Sequence, residues 1–328
     1  MNKIQVGMIG TGSYLPEKVL TNQDLEKIVD TSDEWIHTRT GIRERRIAQP
    51  DTAASDLGLR AAQAALENAG ISADQLDLII VATLTPDYTF PSTACVIQER
   101  LQAKKAAAFD LSAACSGFVY GVATGAQFIA SGMYRYVLVI GAEVLSKILN
   151  WEDRSTCVLF GDGAGACVLA PVDGGRGFHS FVLGADGKGE QLLYQPSSGS
   201  RMPITEQTIA DKLHTLQMSG NEVFKFAVRM VAKSAKQAIE QAGLSVEDID
   251  YFIPHQANIR IIEPAVERLG LSMDKVYVNL DQYGNMSSAS IPVALDEAIR
   301  SGAVRQGSRI LMVGFGAGLT WAAAVITL

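Results

Sequence analysis

The second half of this 328-residue chain repeats the first. The segment ALENAGISADQLDLII at residues 65–80 returns at 238–253 as AIEQAGLSVEDIDYFI, and VLVIG at 137–141 returns at 310–314 as ILMVG. Both pairs share one offset of 173 residues, and the longer segments follow the pattern of a helix closed by glycine, an acidic loop and a buried strand. Two independent segments with one offset predict an α/β chain of two similar halves, residues 1–175 and 176–328.

The repeat also predicts which residues of the two halves meet. Duplicated α/β units are expected to pack about a pseudo-twofold axis, so that equivalent helix N-termini approach each other. IASG at 129–132 corresponds to IRSG at 299–302 with a shorter offset of 170, and we attribute the difference to a longer loop at 303–308. If the same offset of 170 is applied at the start of this helix, it places Asn285 opposite Cys115.

Cys115 lies between a strand-like run and a helix of small residues. At a helix N-terminus the unpaired N–H groups and the macrodipole stabilise a thiolate, so we expect a lowered thiol pKa and a nucleophilic sulfur. A buried and inert cysteine that packs as a small apolar group is the alternative.

His255 is the only one of the four histidines that directly follows a predicted strand. By the offset of 173 it corresponds to Ala82, at the carboxyl end of a strand in the first half. Buried parallel strands deliver functional residues at these ends. The sequence therefore places His255 near the nucleophile, although a structural histidine remains the alternative.

The chain resembles the β-ketoacyl-acyl carrier protein synthase III family of the thiolase-like condensing enzymes along its whole length. The motifs that carry the resemblance are TSDEWI at 31–36 with RTGI at 39–42, DLSAACSGF at 110–118, FGDGAGA at 160–166, HQAN at 255–258, YGN at 283–285 and GFGAGLTW at 314–321. The resemblance implies a five-layered α-β-α-β-α fold of the thiolase type. It also implies a catalytic triad of Cys115, His255 and Asn285.

The implied reaction is a decarboxylating Claisen condensation that starts fatty acid biosynthesis. Cys115 takes the acyl group of a short acyl-coenzyme A, and malonyl-acyl carrier protein then loses carbon dioxide and attacks that group. The backbone N–H groups of Cys115 and Ala317 form the implied oxyanion hole, and His255 and Asn285 hold the enolate. Ala317 stands where many relatives have glycine, and a left-handed backbone there would be costly for alanine. The resemblance implies no cofactor, because the coenzyme A thioester is a substrate.

The resemblance also assigns binding residues. Those implied for coenzyme A are Trp35, Arg39, Arg154, Asn258 and Arg260. The basic residues Lys225, Arg260 and Arg268 are candidates for docking the acidic carrier protein, beside a helical stripe of Lys225, Arg229, Lys233 and Lys236, and solvated surface charge is the alternative for each. Phe90 is implied to line the acyl tunnel of the partner subunit in a homodimer, or else to be an ordinary core residue.

Composition excludes several other classes. A net charge of −7 argues against nucleic acid as a partner, and no apolar run reaches the length of a membrane span. The four cysteines lack the spacing of a metal site or a disulfide framework, so we expect no metal and a cytoplasmic protein.

The resemblance to condensing enzymes also admits other members of the thiolase-like group, and single residues distinguish them. No cysteine follows Cys167, which disfavours a thiolase, and asparagine at 285 disfavours a two-histidine elongating synthase. A relative that uses the same triad on another starter or nucleophile remains an alternative. A catalytically silent subunit is disfavoured because the whole triad is present.

Overall fold

The computed structural model describes residues 4–328. Its strands are β1 (Val6–Tyr14), β2 (Val19–Thr21), β3 (Glu44–Arg46), β4 (Leu78–Ala82), β5 (Ala107–Leu111), β6 (Val137–Val144), β7 (Asp162–Pro171), β8 (Gly177–Ala185), β9 (Leu193–Tyr194), β10 (Gln217–Met218), β11 (Tyr251–Pro254), β12 (Arg309–Gly316) and β13 (Thr320–Thr327). Its α-helices are α1 (Asn22–Leu25), α2 (Asp33–Thr40), α3 (Ala54–Ala69), α4 (Thr93–Leu101), α5 (Gly117–Ala130), α6 (Arg154–Cys157), α7 (Glu206–Ala210), α8 (Gly220–Gln241), α9 (Ile259–Leu269), α10 (Leu280–Tyr283) and α11 (Ser290–Arg300). No helix within residues 4–328 combines the length and the apolar character needed to cross a membrane.

Two mixed sheets form the centre of the fold. The first sheet has the strand order β1-β7-β6-β4-β5, and the second has the order β11-β12-β13-β8. Helices α5 and α11 pack between the sheets, α3 and α4 cover the outer face of the first, and α8 and α9 cover the outer face of the second. The predicted five-layered α-β-α-β-α arrangement is therefore confirmed.

The layers form because the central strands are apolar on both faces. Every residue of β4 and β6 is buried, as expected for parallel strands that are covered by helices on each side. Each fully buried Val, Leu or Ile contributes about 1.5–3 kcal/mol, so the three large apolar clusters between the layers dominate the stability of the fold.

The structure corrects the predicted pairing across the duplication. Helix α5 has 14 residues and α11 has 11, so the offset is 173 where these helices begin and 170 where they end. The helix is one turn shorter in the second half, and an offset taken from its end cannot be carried back to its start. A 3₁₀ turn precedes each helix, and the turns begin at the equivalent residues Ala114 (φ 48°) and Ser287 (φ 46°). Ser288, and not Asn285, is therefore the counterpart of Cys115.

A buried carboxylate joins the first strand to the last helix. Asp296 on α11 accepts hydrogen bonds from Thr11 Oγ1 at 2.9 Å and Ser13 Oγ at 2.6 Å, both on β1. Arg300 Nη2 lies 2.9 Å from the same carboxylate. These contacts connect the two halves through charge-assisted hydrogen bonds, which are stronger than bonds between neutral groups.

We expect Asp296→Ala to lower the free energy of unfolding by about 2–3 kcal/mol, because two hydroxyl donors lose their acceptor in a largely buried site. Urea denaturation followed by circular dichroism measures the effect. Asp173→Ala, which truncates an exposed aspartate, is the matched control and is expected to stay within about 0.5 kcal/mol of wild type. Equal stability of the two variants would contradict a structural role for Asp296.

Candidate active site

A cavity of about 420 Å³ brings the three predicted catalytic residues together. Its walls include Cys115, His255 and Asn285, which come from three different segments of the chain. Of the residues predicted to bind coenzyme A, the cavity is lined by Trp35, Arg39, Asn258 and Arg260. One side of the cavity therefore carries reactive groups, and another carries an aromatic ring and cations.

Cys115 lies in the 3₁₀ turn Ala114–Ser116, directly before α5. The predicted position at a helix start is present, but the predicted direction of the pKa shift is wrong. Burial of the sulfur raises the pKa of Cys115 to about 12, and the negative charge of Glu143 acts in the same direction. Desolvation of a thiolate outweighs the field of the helix N-terminus. At neutral pH Cys115 is therefore a neutral thiol.

His255 follows β11, and its backbone N–H donates to Val313 O at 2.8 Å. Its ring packs edge-on against Phe315 with 5.2 Å between ring centroids. Burial lowers the pKa of His255 to about 3, so the imidazole is neutral at physiological pH. Neither ring nitrogen has a hydrogen-bond partner among residues 4–328. One nitrogen can therefore donate to a substrate oxygen.

The backbone fixes the orientation of Asn285. Its N–H donates to Leu159 O at 2.8 Å, and its carbonyl accepts from Gly161 N at 3.0 Å. Its side-chain oxygen accepts from the backbone N–H of Ser287 at 2.8 Å. Since a backbone N–H requires an acceptor, this bond assigns the oxygen, and the amide nitrogen remains the donor of the side chain.

The end of β12 packs directly on the Cys115 turn. A β-carbon at Gly316 would lie 2.7 Å from Cys115 N, so only glycine allows this approach. The expected strain at Ala317 is absent, because Gly318 (φ 132°) and not Ala317 adopts the positive φ in this loop. Thr320 Oγ1 lies 3.0 Å from the carbonyls of both Ala113 and Ala317, and it fixes the loop beside the nucleophile.

Stacked cations and aromatic rings form the other side of the cavity. The guanidinium of Arg154 lies 5.1 Å from the Trp35 ring centroid, and that of Arg39 lies 5.8 Å from it. Arg260 lies 5.9 Å from the ring centroid of Phe224. These distances are typical of cation–π contacts. Arg154 therefore lies beside Trp35, although it does not line the cavity itself.

Asn258 has a local structural contact. Its side-chain oxygen caps α9 by accepting from the backbone N–H of Arg260 at 2.9 Å. The cap leaves the amide nitrogen of Asn258 as its donor at the cavity wall.

The remaining predicted residues lie outside the cavity. Lys225 on α8 forms an exposed ion pair with Glu222 at 2.8 Å, and Arg268 lies in the last turn of α9. Phe90 is 84% exposed, so in the single chain it is not a core residue.

Sequence reasoning missed the polar residues beneath the cavity. Glu143, Ser287 and Ser288 are fully or almost fully buried, and Ser288 Oγ lies 2.8 Å from Glu143 Oε1. The sequence did contain one indication of these residues. Glu143 interrupts the apolar run of β6, and a charged residue in a fully buried strand is uncommon unless it has a partner or a function.

No group of three or more His, Cys, Asp or Glu side chains among the described residues has an arrangement that could hold a metal ion.

Comparison with known proteins agrees with this geometry. Residues 109–187 match the protein family described as 3-oxoacyl-[acyl-carrier-protein] synthase III, and residues 239–328 match its C-terminal region. The chain is 62% identical to the β-ketoacyl-[acyl-carrier-protein] synthase III of Desulfitobacterium hafniense, over 98% of each chain.

Solved structures give the same result. The 3-oxoacyl-[acyl-carrier-protein] synthase III of Aquifex aeolicus is 50% identical and superimposes with a TM-score of 0.92, over 98% of this chain and 100% of the other. The priming β-ketosynthase of the R1128 polyketide pathway is 41% identical with a TM-score of 0.92, over 99% and 97% of the two chains. The chain belongs to the β-ketoacyl-acyl carrier protein synthase III family of condensing enzymes.

Proposed function

We propose that Cys115, His255 and Asn285 perform the condensation of this family. The chain is an acyltransferase that joins a short acyl-coenzyme A primer to malonyl-acyl carrier protein and so initiates fatty acid biosynthesis. In this reaction coenzyme A enters as part of a substrate and not as a cofactor. The observation that carries the residue assignment is the shared cavity, which encloses a thiol, an imidazole and a carboxamide. The proposed units of the chain are the duplicated halves, residues 1–175 and 176–328.

The first half-reaction is acyl transfer to Cys115. Its sulfur attacks the thioester carbonyl, and coenzyme A leaves. We assign the oxyanion hole to the backbone N–H groups of Cys115 and Ala317, because the end of β12 packs against the Cys115 turn. Each such donor lowers the barrier by about 3 kcal/mol.

The second half-reaction is decarboxylation followed by carbon–carbon bond formation. Loss of carbon dioxide leaves an enolate oxygen, which His255 and the amide nitrogen of Asn285 stabilise as uncharged donors. The low pKa of His255 suits this role, because an imidazolium would be an acid able to protonate the carbanion. The buried cavity strengthens both hydrogen bonds.

Coenzyme A binds in this proposal across the aromatic and cationic side of the cavity. Trp35 and Arg154 hold the adenine, Arg39 and Arg260 neutralise phosphates, and Asn258 contacts the pantetheine. Arginine over an aromatic ring offers both a flat face and a fixed charge, which the nucleotide end of coenzyme A requires.

The acyl carrier protein docks in this proposal beside the same opening. Arg260 lines the cavity, while Lys225 on α8 and Arg268 on α9 lie on the two helices packed together over the second sheet. A local basic surface attracts an acidic partner even though the whole chain carries a net charge of −7. All four cysteines are free thiols, which suits the reducing cytoplasm in which we place the protein.

We propose that the functional form is a homodimer in which Phe90 reaches the acyl tunnel of the partner. Within residues 4–328, β5 is bonded to β4 on one side only, so an edge of the first sheet is open. Open edges pair readily with a second chain. The loop after β4 also exposes Tyr88 and Phe90, and an aromatic pair of this kind is typical of an interface core.

The triad assignment is tested by product analysis with straight and branched acyl-coenzyme A primers and malonyl-acyl carrier protein. Wild type is expected to release carbon dioxide and form β-ketoacyl product. Cys115→Ser is expected to lose acylation, because its hydroxyl is a far weaker nucleophile. Asn285→Ala is expected to keep acylation and to lose decarboxylation by about 100-fold, as for removal of one oxyanion donor. Carbon dioxide release without condensed product for every primer would overturn the proposal.

The buried neutral His255 predicts a pH dependence of stability. Its pKa is lowered in the folded state, so the unfolded chain binds a proton more readily as pH falls below about 6.5, and folding loses stability. The loss is about 1.4 kcal/mol per pH unit between that value and the folded pKa. Denaturation from pH 7.5 to 5.5 is expected to destabilise wild type more than His255→Gln, by about 1.4 kcal/mol at pH 5.5. Parallel curves for the two proteins would contradict a buried, neutral His255.

The homodimer is tested by light scattering, where a mass of twice the 35.1 kDa of one chain is expected. Phe90→Asp is expected to weaken the dimer or the use of longer primers, because it would bury a charge against the partner. Met133→Asp alters an exposed apolar residue in the loop before β6, at the other end of the parallel strands from the loop that carries Phe90, and serves as the control. A monomeric and fully active wild type would exclude the dimer.

A further inference from the structure

Arg45 on β3 is a fully buried cation that the proposed mechanism does not use. Within residues 4–328 no carboxylate oxygen lies within 4.0 Å of its guanidinium, and its Nε makes no hydrogen bond. Burial lowers the pKa of Arg45 to about 10, so the side chain keeps its charge at neutral pH. A charge buried without a counter-ion is costly, which directs attention to the contacts of its other N–H groups.

These N–H groups connect two separate segments of the chain. Nη2 of Arg45 donates to Val158 O at 2.7 Å, while Nη1 donates to Asn22 Oδ1 at 2.9 Å and to Leu20 O at 3.2 Å. Asn22 is held in turn, because its amide nitrogen donates to Asp33 Oδ1 at 2.8 Å. A guanidinium presents its donors in a rigid planar fork. The fork therefore fixes the position of Val158 O relative to the start of α1.

The segment that Arg45 holds is the one that fixes Asn285. Leu159, the residue after Val158, accepts the backbone N–H of Asn285 at 2.8 Å, and Gly161 N donates to Asn285 O at 3.0 Å. The two segments thus form a short parallel bridge. A shift of the 158–161 segment necessarily moves the backbone of Asn285 and, with it, the carboxamide at the cavity wall.

The stem of the Arg45 side chain packs against the same bridge. A β-carbon at Gly161 would lie 3.0 Å from Arg45 Cβ, and one at Gly284 would lie 3.5 Å from it. Gly161 and Gly284 belong to the two segments that meet at Asn285. Arg45 therefore supports both segments by packing, in addition to its hydrogen bond to Val158 O.

The other two residues of the triad are fixed by different elements. The end of β12 packs on the turn that carries Cys115, and the same strand accepts the backbone N–H of His255. In the part of the chain that the structure describes, neither residue shares a backbone hydrogen bond with the 158–161 segment. Loss of the Arg45 contacts is therefore expected to disturb Asn285 and to leave Cys115 and His255 in place.

We propose that Arg45 is a positioning residue for Asn285. It does not line the cavity, and it acts by holding the 158–161 segment, which sets where the Asn285 carboxamide meets the enolate oxygen. Arg45 thereby supports decarboxylation and carbon–carbon bond formation, and it contributes little to acyl transfer onto Cys115. This inference rests on the proposed role of Asn285 in the second half-reaction.

The experiment measures the two half-reactions of the full-length protein separately. Rapid quenching and intact mass follow acylation of Cys115 by acetyl-coenzyme A, and carbon dioxide release follows the reaction of the acetylated enzyme with malonyl-acyl carrier protein. Arg45→Met is expected to slow the second half-reaction about 10-fold and to leave acylation within about 2-fold of wild type, because a small displacement of a catalytic group is sufficient to lose rate. The loss is expected in kcat and not in the KM for malonyl-acyl carrier protein.

A double-mutant comparison shows whether Arg45 acts through Asn285. Once the carboxamide is gone, its position no longer matters, so Arg45→Met/Asn285→Ala is expected to release carbon dioxide as slowly as Asn285→Ala alone. Losses that multiply in the double variant would show that Arg45 acts by another route, and they would overturn the inference.

Arg45→Lys keeps a buried cation and serves even if Arg45→Met fails to fold. A lysine donates as a point charge and cannot reproduce the fork between Asn22 and Val158. The expected loss is about 3-fold and is confined to the second half-reaction. An equal loss in both half-reactions, or no loss in either, would contradict a positioning role.

Asp296→Ala is the matched control, because it removes another buried charged side chain whose hydrogen bonds are to β1 and not to the bridge at Asn285. It is expected to destabilise the fold while it keeps the wild-type ratio of the two half-reaction rates. A selective loss of the second half-reaction in Asp296→Ala would mean that loss of stability alone produces the effect, and it would reject the inference.

Hydrogen–deuterium exchange gives a second readout that needs no reaction. Peptides that cover residues 157–161 and 283–287 are expected to exchange faster in Arg45→Met, while a peptide that covers residues 113–118 keeps its wild-type exchange. Unchanged exchange at 283–287, with Asn285→Ala still slow in decarboxylation, rejects the positioning role and leaves the proposed function intact. Wild-type decarboxylation by Asn285→Ala, with faster exchange still present in Arg45→Met, overturns only the proposed role of Asn285.

Discussion

The packing of two tight turns against each other, where the central helices begin, is the constraint on which the rest of the structure depends. The turn at Ala114–Ser116 opens α5, the turn at Ser287–Ala289 opens α11, and both helices lie between the two sheets. Because the turns meet across the duplication, a residue beside one turn necessarily faces residues beside the other. The end of β12 closes the third side, where Gly316 allows backbone to approach the nucleophile.

Exclusion of water from this junction sets the state of every reactive group. Burial raises the pKa of the Cys115 thiol and lowers that of the His255 imidazole, so both groups are neutral before substrate arrives. A low local dielectric also strengthens the hydrogen bonds that these groups form with a developing oxyanion or enolate. The same burial that suits decarboxylation therefore makes ionisation of the sulfur difficult.

The duplication gives the two halves equivalent backbone, and sequence differences at equivalent positions decide which half carries a reactive side chain. Cys115 corresponds to Ser288, and His255 corresponds to Ala82. Each pair occupies equivalent backbone, with one reactive member and one small member. The non-reactive member retains a structural contact, since Ser288 Oγ lies 2.8 Å from Ala82 O. One active site is formed instead of two because the two halves hold complementary residues at matched positions.

Sequence alone determined the duplicated α/β architecture and singled out Cys115, His255 and Asn285, which the structure brings around one cavity. It left open whether Phe90 is a core residue, and the structure shows Phe90 to be 84% exposed. Repeat spacing and apolar periodicity survive divergence, because every strand must keep its buried faces. Cys115 and Asn285 do line one cavity, but the alignment of Asn285 with Cys115 in the repeat was wrong, because an offset measured at the end of the helix does not reveal that α11 is one turn shorter than α5. The buried contact between Glu143 and Ser288 was also hidden, since a hydrogen bond between residues 145 positions apart leaves no local pattern. The protonation states were decided by tertiary structure alone, because desolvation depends on everything packed around a group and not on its neighbours along the chain.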